Sequence, residues 1–347
     1  MNLKKFVSGI LSTILSVVLV GCGSATNSTN DSEKLSNKLP EVVNIGTQQM
    51  PTDETLARAK GFFEDELGVK VNITEFDSGK DINNALASKS IDFGLMGSTP
   101  AVVGISSGIS IEIIWIHDVI GDVEGLAVKN SSNINKIIDL VGKKVAVPAS
   151  STAHYSLLNA LKMNNISESD VKILDMQPND IYAAWQRGDV DAAYVWEPTL
   201  GKLSNDGKIL ITSRELAEQG VLTCDTEVVR KEFAEKYPEI VTKYIKALER
   251  ANDIYKNNSN DAIESIAKAL SISKEESEYQ INASQWLSGE EQLNSKYLGT
   301  SEKKGDFVKT LKSTSDFLLD QKTITKSPNI TVFEKAVNPK YIENSLK

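Results

Sequence analysis

From residue 41 onward the chain alternates two hydrophobic rhythms. Short runs with apolar residues at every second position, or in unbroken series, predict strands at Val42 to Gln48, Val69 to Phe76, Asp92 to Met96, Glu112 to His117 and Glu124 to Lys129. The pattern returns at 143–148, 171–176, 191–196 and 208–212. Between the strands the period is helical. Residues 51–66 carry Leu56, Ala59, Phe62 and Phe63 on one face and stop at Gly68, a residue able to end a helix in the left-handed conformation. Strand and helix in alternation predict an α/β fold with largely parallel sheets.

A weak internal repeat adds an architecture. Ser88 to Met96 (SKSIDFGLM) is echoed by Gln186 to Val195 (QRGDVDAAYV): a helix ends, an Ile-Asp or Val-Asp pair opens a strand, and Pro100 or Pro198 follows. Two similar lobes facing one another account for this, as do two unrelated strand-helix units, and 347 residues leave room for two lobes. After Val229 long amphipathic helices take over, at 230–255 and 261–270, with Pro238 at a break or a first turn. This tail is expected to return and buttress the first lobe.

The first 40 residues differ. Lys4 and Lys5 precede an apolar run, Ile10 to Val20, too short to span a bilayer, which predicts a secretory leader over residues 1–21. It ends in Leu19-Val20-Gly21-Cys22, which resembles the bacterial lipobox. Cys22 is then the lipidated first residue, and residues 22–40, poor in apolar side chains, form a flexible tether to the outer face of the cell membrane. Lipidation leaves Cys224 without a partner, so a small buried residue is expected there. The net charge of −9 becomes more negative by two once Lys4 and Lys5 are removed, which argues against a nucleic-acid partner and requires any anion to be bound by local geometry.

Ligands of α/β sheets bind where strands end and helices begin, because the helix N-terminus offers free N–H groups and partial positive charge. Four such junctions can be read: Gln48-Gln49 before the helix at Pro51, Ser78 before the helix through Ile82 to Leu86, Gly97-Ser98-Thr99 before Pro100, and Ser151-Thr152-Ala153-His154. Each is either a helix cap or a ligand contact. Glu124, at a strand start, and Asp225, in an apolar run, are structural ion-pair members or receivers of a ligand ammonium. Trp196, at a strand end, is a core residue or an aromatic face for the same cation. With two histidines, no metal-ligand spacing, no phosphate loop and no nucleophile elbow, the sequence offers little support for catalysis, a metal or a cofactor.

Lys143 to Pro148 (KKVAVP), Ser151 to Lys162 (STAHYSLLNALK) and Ala183 to Trp196 (AAWQRGDVDAAYVW) resemble the taurine-binding subfamily of the solute-binding proteins of sulfonate and nitrate ABC importers. The resemblance implies the type II periplasmic-binding-protein fold: two lobes joined by crossing strands, hinged about an interlobe ligand cleft. Lobe one would be 41–127 with 223–347, and lobe two 128–222. The turns at Gly97-Ser98-Thr99 and Ser151-Thr152-Ala153-His154 would hold a sulfonate across the cleft. Glu124 and Asp225, with Trp196 as a face, would receive an ammonium. The implied cargo is taurine or a related small aminosulfonate, carried by a monomer to a membrane permease and its ATPase. Aliphatic sulfonates or nitrate are alternatives, but they offer no cation to offset two desolvated carboxylates. Enzymes of thiamine-pyrimidine synthesis share the superfamily resemblance and are intracellular, which the leader opposes. Glu197 and Thr226-Glu227 depart from the subfamily pattern and are expected to add negative charge near the amine end.

Overall fold

The computed structural model describes residues 39–347; the expected leader, Cys22 and all of the expected tether except Leu39 and Pro40 lie outside the described residues. Eleven strands are described: β1 (Val42–Thr47), β2 (Lys70–Glu75), β3 (Phe93–Gly97), β4 (Ile111–Val119), β5 (Glu124–Lys129), β6 (Lys144–Val147), β7 (Lys172–Asp175), β8 (Ala192–Trp196), β9 (Gly207–Thr212), β10 (Cys224–Arg230) and β11 (Gln285–Trp286). They form two sheets, in the orders β11-β4-β10-β3-β1-β2 and β7-β6-β8-β5-β9.

Both sheets follow one plan. Three parallel strands, β2-β1-β3 or β7-β6-β8, continue into two antiparallel pairings, through β10 to β4 or through β5 to β9. The expectation of largely parallel sheets therefore needs correction: each lobe receives one strand, β5 or β10, from a chain arriving out of the other lobe, and that strand runs against its neighbour. The boundary expected at residue 127 also moves. β5 pairs with β8 and β9, so the first crossing falls at 120–123 and the second at 219–223, before β10. β10 contains the apolar run around Asp225, which had not been read as a strand.

The sequence repeat corresponds to equivalent positions. Phe93 pairs with Ile45 as Ala192 pairs with Val145. The preceding aspartates do the same work in each lobe: Asp92 accepts from the Asn44 backbone N–H and Asp191 from that of Lys144, both at 2.9 Å. Each fastens the start of the central strand to its parallel neighbour. Asp92 also accepts from Arg230 at 2.5 Å and is buried, whereas Asp191 is partly exposed.

The helix expected over 51–66 is two, Asp53–Ala59 and Phe62–Leu67, interrupted by the left-handed Gly61 (φ 71°) and stopped, as expected, by the left-handed Gly68 (φ 66°). The break turns Ala59 to solvent while Leu56, Phe62 and Phe63 stay buried. Residues 230–255 likewise divide into Lys231–Lys236 and Pro238–Asn257, with Pro238 in the first turn, where its missing N–H costs no hydrogen bond. The longer helix packs on the two N-terminal helices as a buttress of lobe one, and its Tyr244 ring stacks between Phe63 (4.6 Å) and Phe93 (4.1 Å). Cys224 is fully buried.

Asp92→Ala leaves the part-buried Asn44 N–H and one Nη of the part-buried Arg230 without their acceptor, Nε keeping the Ile91 carbonyl, and is expected to cost about 2–3 kcal/mol; Asp191→Ala, nearer solvent, about 1 kcal/mol. Urea denaturation of both variants checks the difference.

Candidate functional site

Where the two sheets face each other they enclose about 500 Å³ of empty space, part of it open to solvent. Both crossing strands contribute to its wall in the same way. Asp225, near the start of β10, pairs with Gly97 at the end of β3; Glu124, at the start of β5, pairs with Trp196 at the end of β8. In the duplicated plan these acids occupy equivalent positions, and all four residues line the cavity.

Helix starts supply the other part of the wall. Gly79 opens helix Gly79–Ala87, Gly97 precedes Ser98–Ser106, and Ser151 caps Thr152–Met163, its Oγ accepting from the His154 N–H at 3.1 Å. The lobes meet here. A Cβ on Gly97 would lie 2.6 Å from Thr152 Cγ2, and one on Gly79 would lie 2.5 Å from Pro100 Cγ, so glycine is what permits both approaches. At the lip, Lys80 of lobe one stands 3.3 Å from Asp175 of lobe two.

Of the residues singled out in the sequence, Gln48, Gly97, Glu124, Ser151, Thr152, Trp196 and Asp225 line the cavity, and Gln48 is held by donating to the Leu95 carbonyl at 2.9 Å. The other five do not. Gln49 is exposed and donates to Glu75. Ser78 donates to Asp81, leaving its neighbour Gly79 on the wall. Ser98 accepts from the Cys224 N–H, because the helix begins at Ser98 and turns that hydroxyl toward β10. Thr99 is buried, its hydroxyl without a hydrogen-bond partner among the described residues. His154 accepts from the Ser150 N–H at 3.3 Å, and burial lowers its pKa, favouring the neutral ring. Asp118 was missed. The strand predicted to stop at His117 runs on to Val119, and this extension carries Asp118 to the cavity. Glu197 lines the cavity, as its negative charge near the site predicts; Glu227 does not, since it lies two residues deeper along β10 and bonds to Tyr244 and His117.

Asp118, Glu124, Glu197 and Asp225 are all buried, and no Lys, Arg or His lines the cavity among the described residues. Burial pushes Glu124 up to about 7, against hydroxyl donors that oppose the shift: Ser213 at 2.7 Å, Thr152 at 2.5 Å, and Ser156. Burial pushes Glu197 to about 7 as well, opposed by the Gly201 N–H at 2.9 Å. Burial and the neighbouring carboxyls Asp118 and Glu124 hold Asp225 well above the usual carboxylate range. Four buried carboxyls and three helix starts thus share one wall.

A family model described as the substrate binding domain of ABC-type glycine betaine transport system matches residues 41–289. The chain belongs to that family. Within it, this substrate-binding domain is 36% identical over 285 residues to the taurine-binding periplasmic protein of Escherichia coli strain K12, covering 80% of this chain and 86% of the relative. The alkanesulfonate-binding protein SsuA from Xanthomonas axonopodis pv. citri, solved bound to MOPS, shares the fold with a TM-score of 0.71 at 21% identity, over 86% of this chain and 99% of that one. The periplasmic nitrate-binding protein NrtA from Synechocystis PCC 6803 shares it with a TM-score of 0.68 at 14% identity, over 88% and 87%. The substrate-binding domain thus has the two-lobed periplasmic-binding-protein fold.

A carboxyl whose folded pKa is raised holds a proton that the unfolded chain has lost, so stability is present at low pH and falls as pH rises from the ordinary carboxylate range through about 7. Glu124→Gln removes that dependence at one position. Ligand-free thermal melts are expected to coincide with wild type at acid pH and to exceed it above neutrality.

Proposed function

We propose that this chain captures taurine, or an aminosulfonate close to it, outside the cell membrane and delivers it to the permease and ATPase of an ABC importer. The observation that carries this reading is the charge pattern of the cavity, in which four buried carboxyl groups and three helix starts share one wall without a basic side chain among the described residues. A ligand with a primary ammonium and a compact oxyanion has a partner for each end: carboxyl oxygens accept from the ammonium, and helix N–H groups donate to the sulfonate. Nitrate or a plain alkanesulfonate leaves the buried carboxyls without a cation. A quaternary ammonium has no N–H to donate and is held by several aromatic faces, whereas Trp196 is the one aromatic residue on this wall among the described residues. The name of the E. coli relative supports the same cargo.

The protein binds and releases its cargo without chemistry, metal or cofactor. Its lobes close about the crossings at 120–123 and 219–223, the contact of Gly97 with Thr152 being the point of closure. Cys22 and the tether after it hold a monomer to the outer face of the membrane, where its acidic surface has no part in binding nucleic acid.

Isothermal calorimetry is expected to give tight binding of taurine and at least tenfold weaker binding of ethanesulfonate, which lacks the amine, and of glycine betaine. Asp225→Asn and Glu124→Gln are each expected to weaken taurine by about 1–3 kcal/mol. Equal binding of taurine and ethanesulfonate overturns the ammonium site, and silence from both overturns the cargo.

A further inference from the structure

Asp118 stands in a relation to Asp225 that nothing in the other lobe reproduces. It is 2% exposed, lines the cavity, and its Oδ1 has no hydrogen-bond partner among the described residues. It pairs directly with Asp225 across β4 and β10, which sets the two side chains next to each other on one face of the sheet. Carboxylates are acceptors only, so two of them share a hydrogen bond when one holds a proton. In lobe two the equivalent acid has different company. Gly125 pairs with Thr212, so Ser213 stands beside Glu124 and donates to it at 2.7 Å. Glu124 has hydroxyl donors where Asp225 has a second acid.

Nearby charge does not remove the need for that proton. Behind Asp118, His117 is already held by Asp53 and Glu227. On β10 the neighbours are Asp225 and Cys224, the cation that acts on Cys224 being Lys296; Glu124 faces the pair from β5 and Glu197 from beyond β8. β11 brings Gln285 and Trp286, and the Ser284 hydroxyl just before it, with the Asp225 backbone, favours an ionised Asp118 without outweighing burial. Burial pushes Asp118 up to about 7.

Resting on the ammonium reading of the site, we infer that Asp118 is a further ligand-binding residue, that Asp118 and Asp225 share one proton in the empty cleft, and that an entering ammonium expels it. The carboxyl O–H bond breaks, the proton passes to solvent, and the ammonium N–H groups donate to the two oxygens it leaves. At the carboxyl pair the charge balances, one proton leaving as one ammonium arrives, and the sulfonate's charge falls to the helix N–H groups. Capture is thereby linked to pH and selective for a ligand able to displace a proton.

The test uses the full chain. Calorimetric titration with taurine near neutral pH, in buffers of different ionisation enthalpy, is expected to read close to one proton released per taurine, with affinity rising up to tenfold per pH unit where release is complete. In Asp118→Asn the amide donates to Asp225 as the protonated carboxyl did, so Asp225 is already ionised; release is expected to fall toward zero. Taurine binding without proton release overturns the inference and leaves the cargo standing. Release that survives in Asp118→Asn and disappears in Glu124→Gln assigns the proton to Glu124 and overturns it too. Carbon-13 titration of the aspartate carboxyls in the ligand-free chain reads the pair independently of cargo. Two coupled aspartates titrating well above the usual range support the shared proton even if taurine fails to bind, and their absence overturns it whatever taurine does.

Discussion

The structure turns on one electrostatic constraint: four carboxyl groups are buried around a cavity to which no basic side chain is brought among the described residues. Taking a carboxylate out of water costs several kcal/mol unless hydrogen bonds or an opposite charge restore what hydration gave. The described chain restores only part of it. Thr152, Ser156 and Ser213 give Glu124 hydroxyl donors, the Gly201 N–H serves Glu197, and Asp118 with Asp225 must share a proton. What is left unsatisfied is a preference for a cation of limited size, while the helix starts at Gly79, Ser98 and Thr152 provide the opposite preference for an anion.

Lobe one contains a second set of buried acids, away from the cavity, whose partners come from the chain itself. Asp53 accepts from Trp115 at 2.8 Å and Asn252 at 2.7 Å and also contacts His117; Glu227 accepts from Tyr244 at 2.9 Å and faces the other nitrogen of the same ring. Burial alone would lower the His117 pKa, but the two carboxylates outweigh it and hold it well above normal, so the ring carries charge between them. These acids are structural because their partners belong to the chain. The acids of the cavity differ from them in lining a space a ligand can enter, with no basic side chain on the same wall among the described residues.

The cavity is symmetric because both sheets follow one plan, and a single difference in residue type breaks that symmetry. Asp92 and Asp191 fasten the central strands in the same manner, and Asp225 and Glu124 face the ends of those strands at matching positions. Beside them the lobes diverge, with a carboxyl at Asp118 and a hydroxyl at Ser213. Two equivalent acids therefore have different neighbours, hydroxyl donors for Glu124 and a second carboxyl for Asp225, although each begins a crossing strand.

The sequence by itself determined the α/β rhythm, nine of the strands, the repeat that marks two lobes, and the helix starts at Gly97 and Ser151, because period and Gly or Pro punctuation are local properties that survive any packing. It also marked Glu124, Asp225 and Trp196, since an acid or an aromatic at a strand end stands out against apolar surroundings. Tertiary structure decided the rest. Antiparallel pairing of β5 and β10 depends on where the chain crosses between lobes, and no local period records that. Gln49, Ser78, Ser98, Thr99 and His154 carry the right chemistry at the right junctions, yet which way each side chain turns was settled by neighbours distant in sequence, such as Glu75 for Gln49 and Cys224 for Ser98. Asp118 was invisible for the same reason: an acid following His117 at a strand end has no special meaning until β10 lays Asp225 beside it.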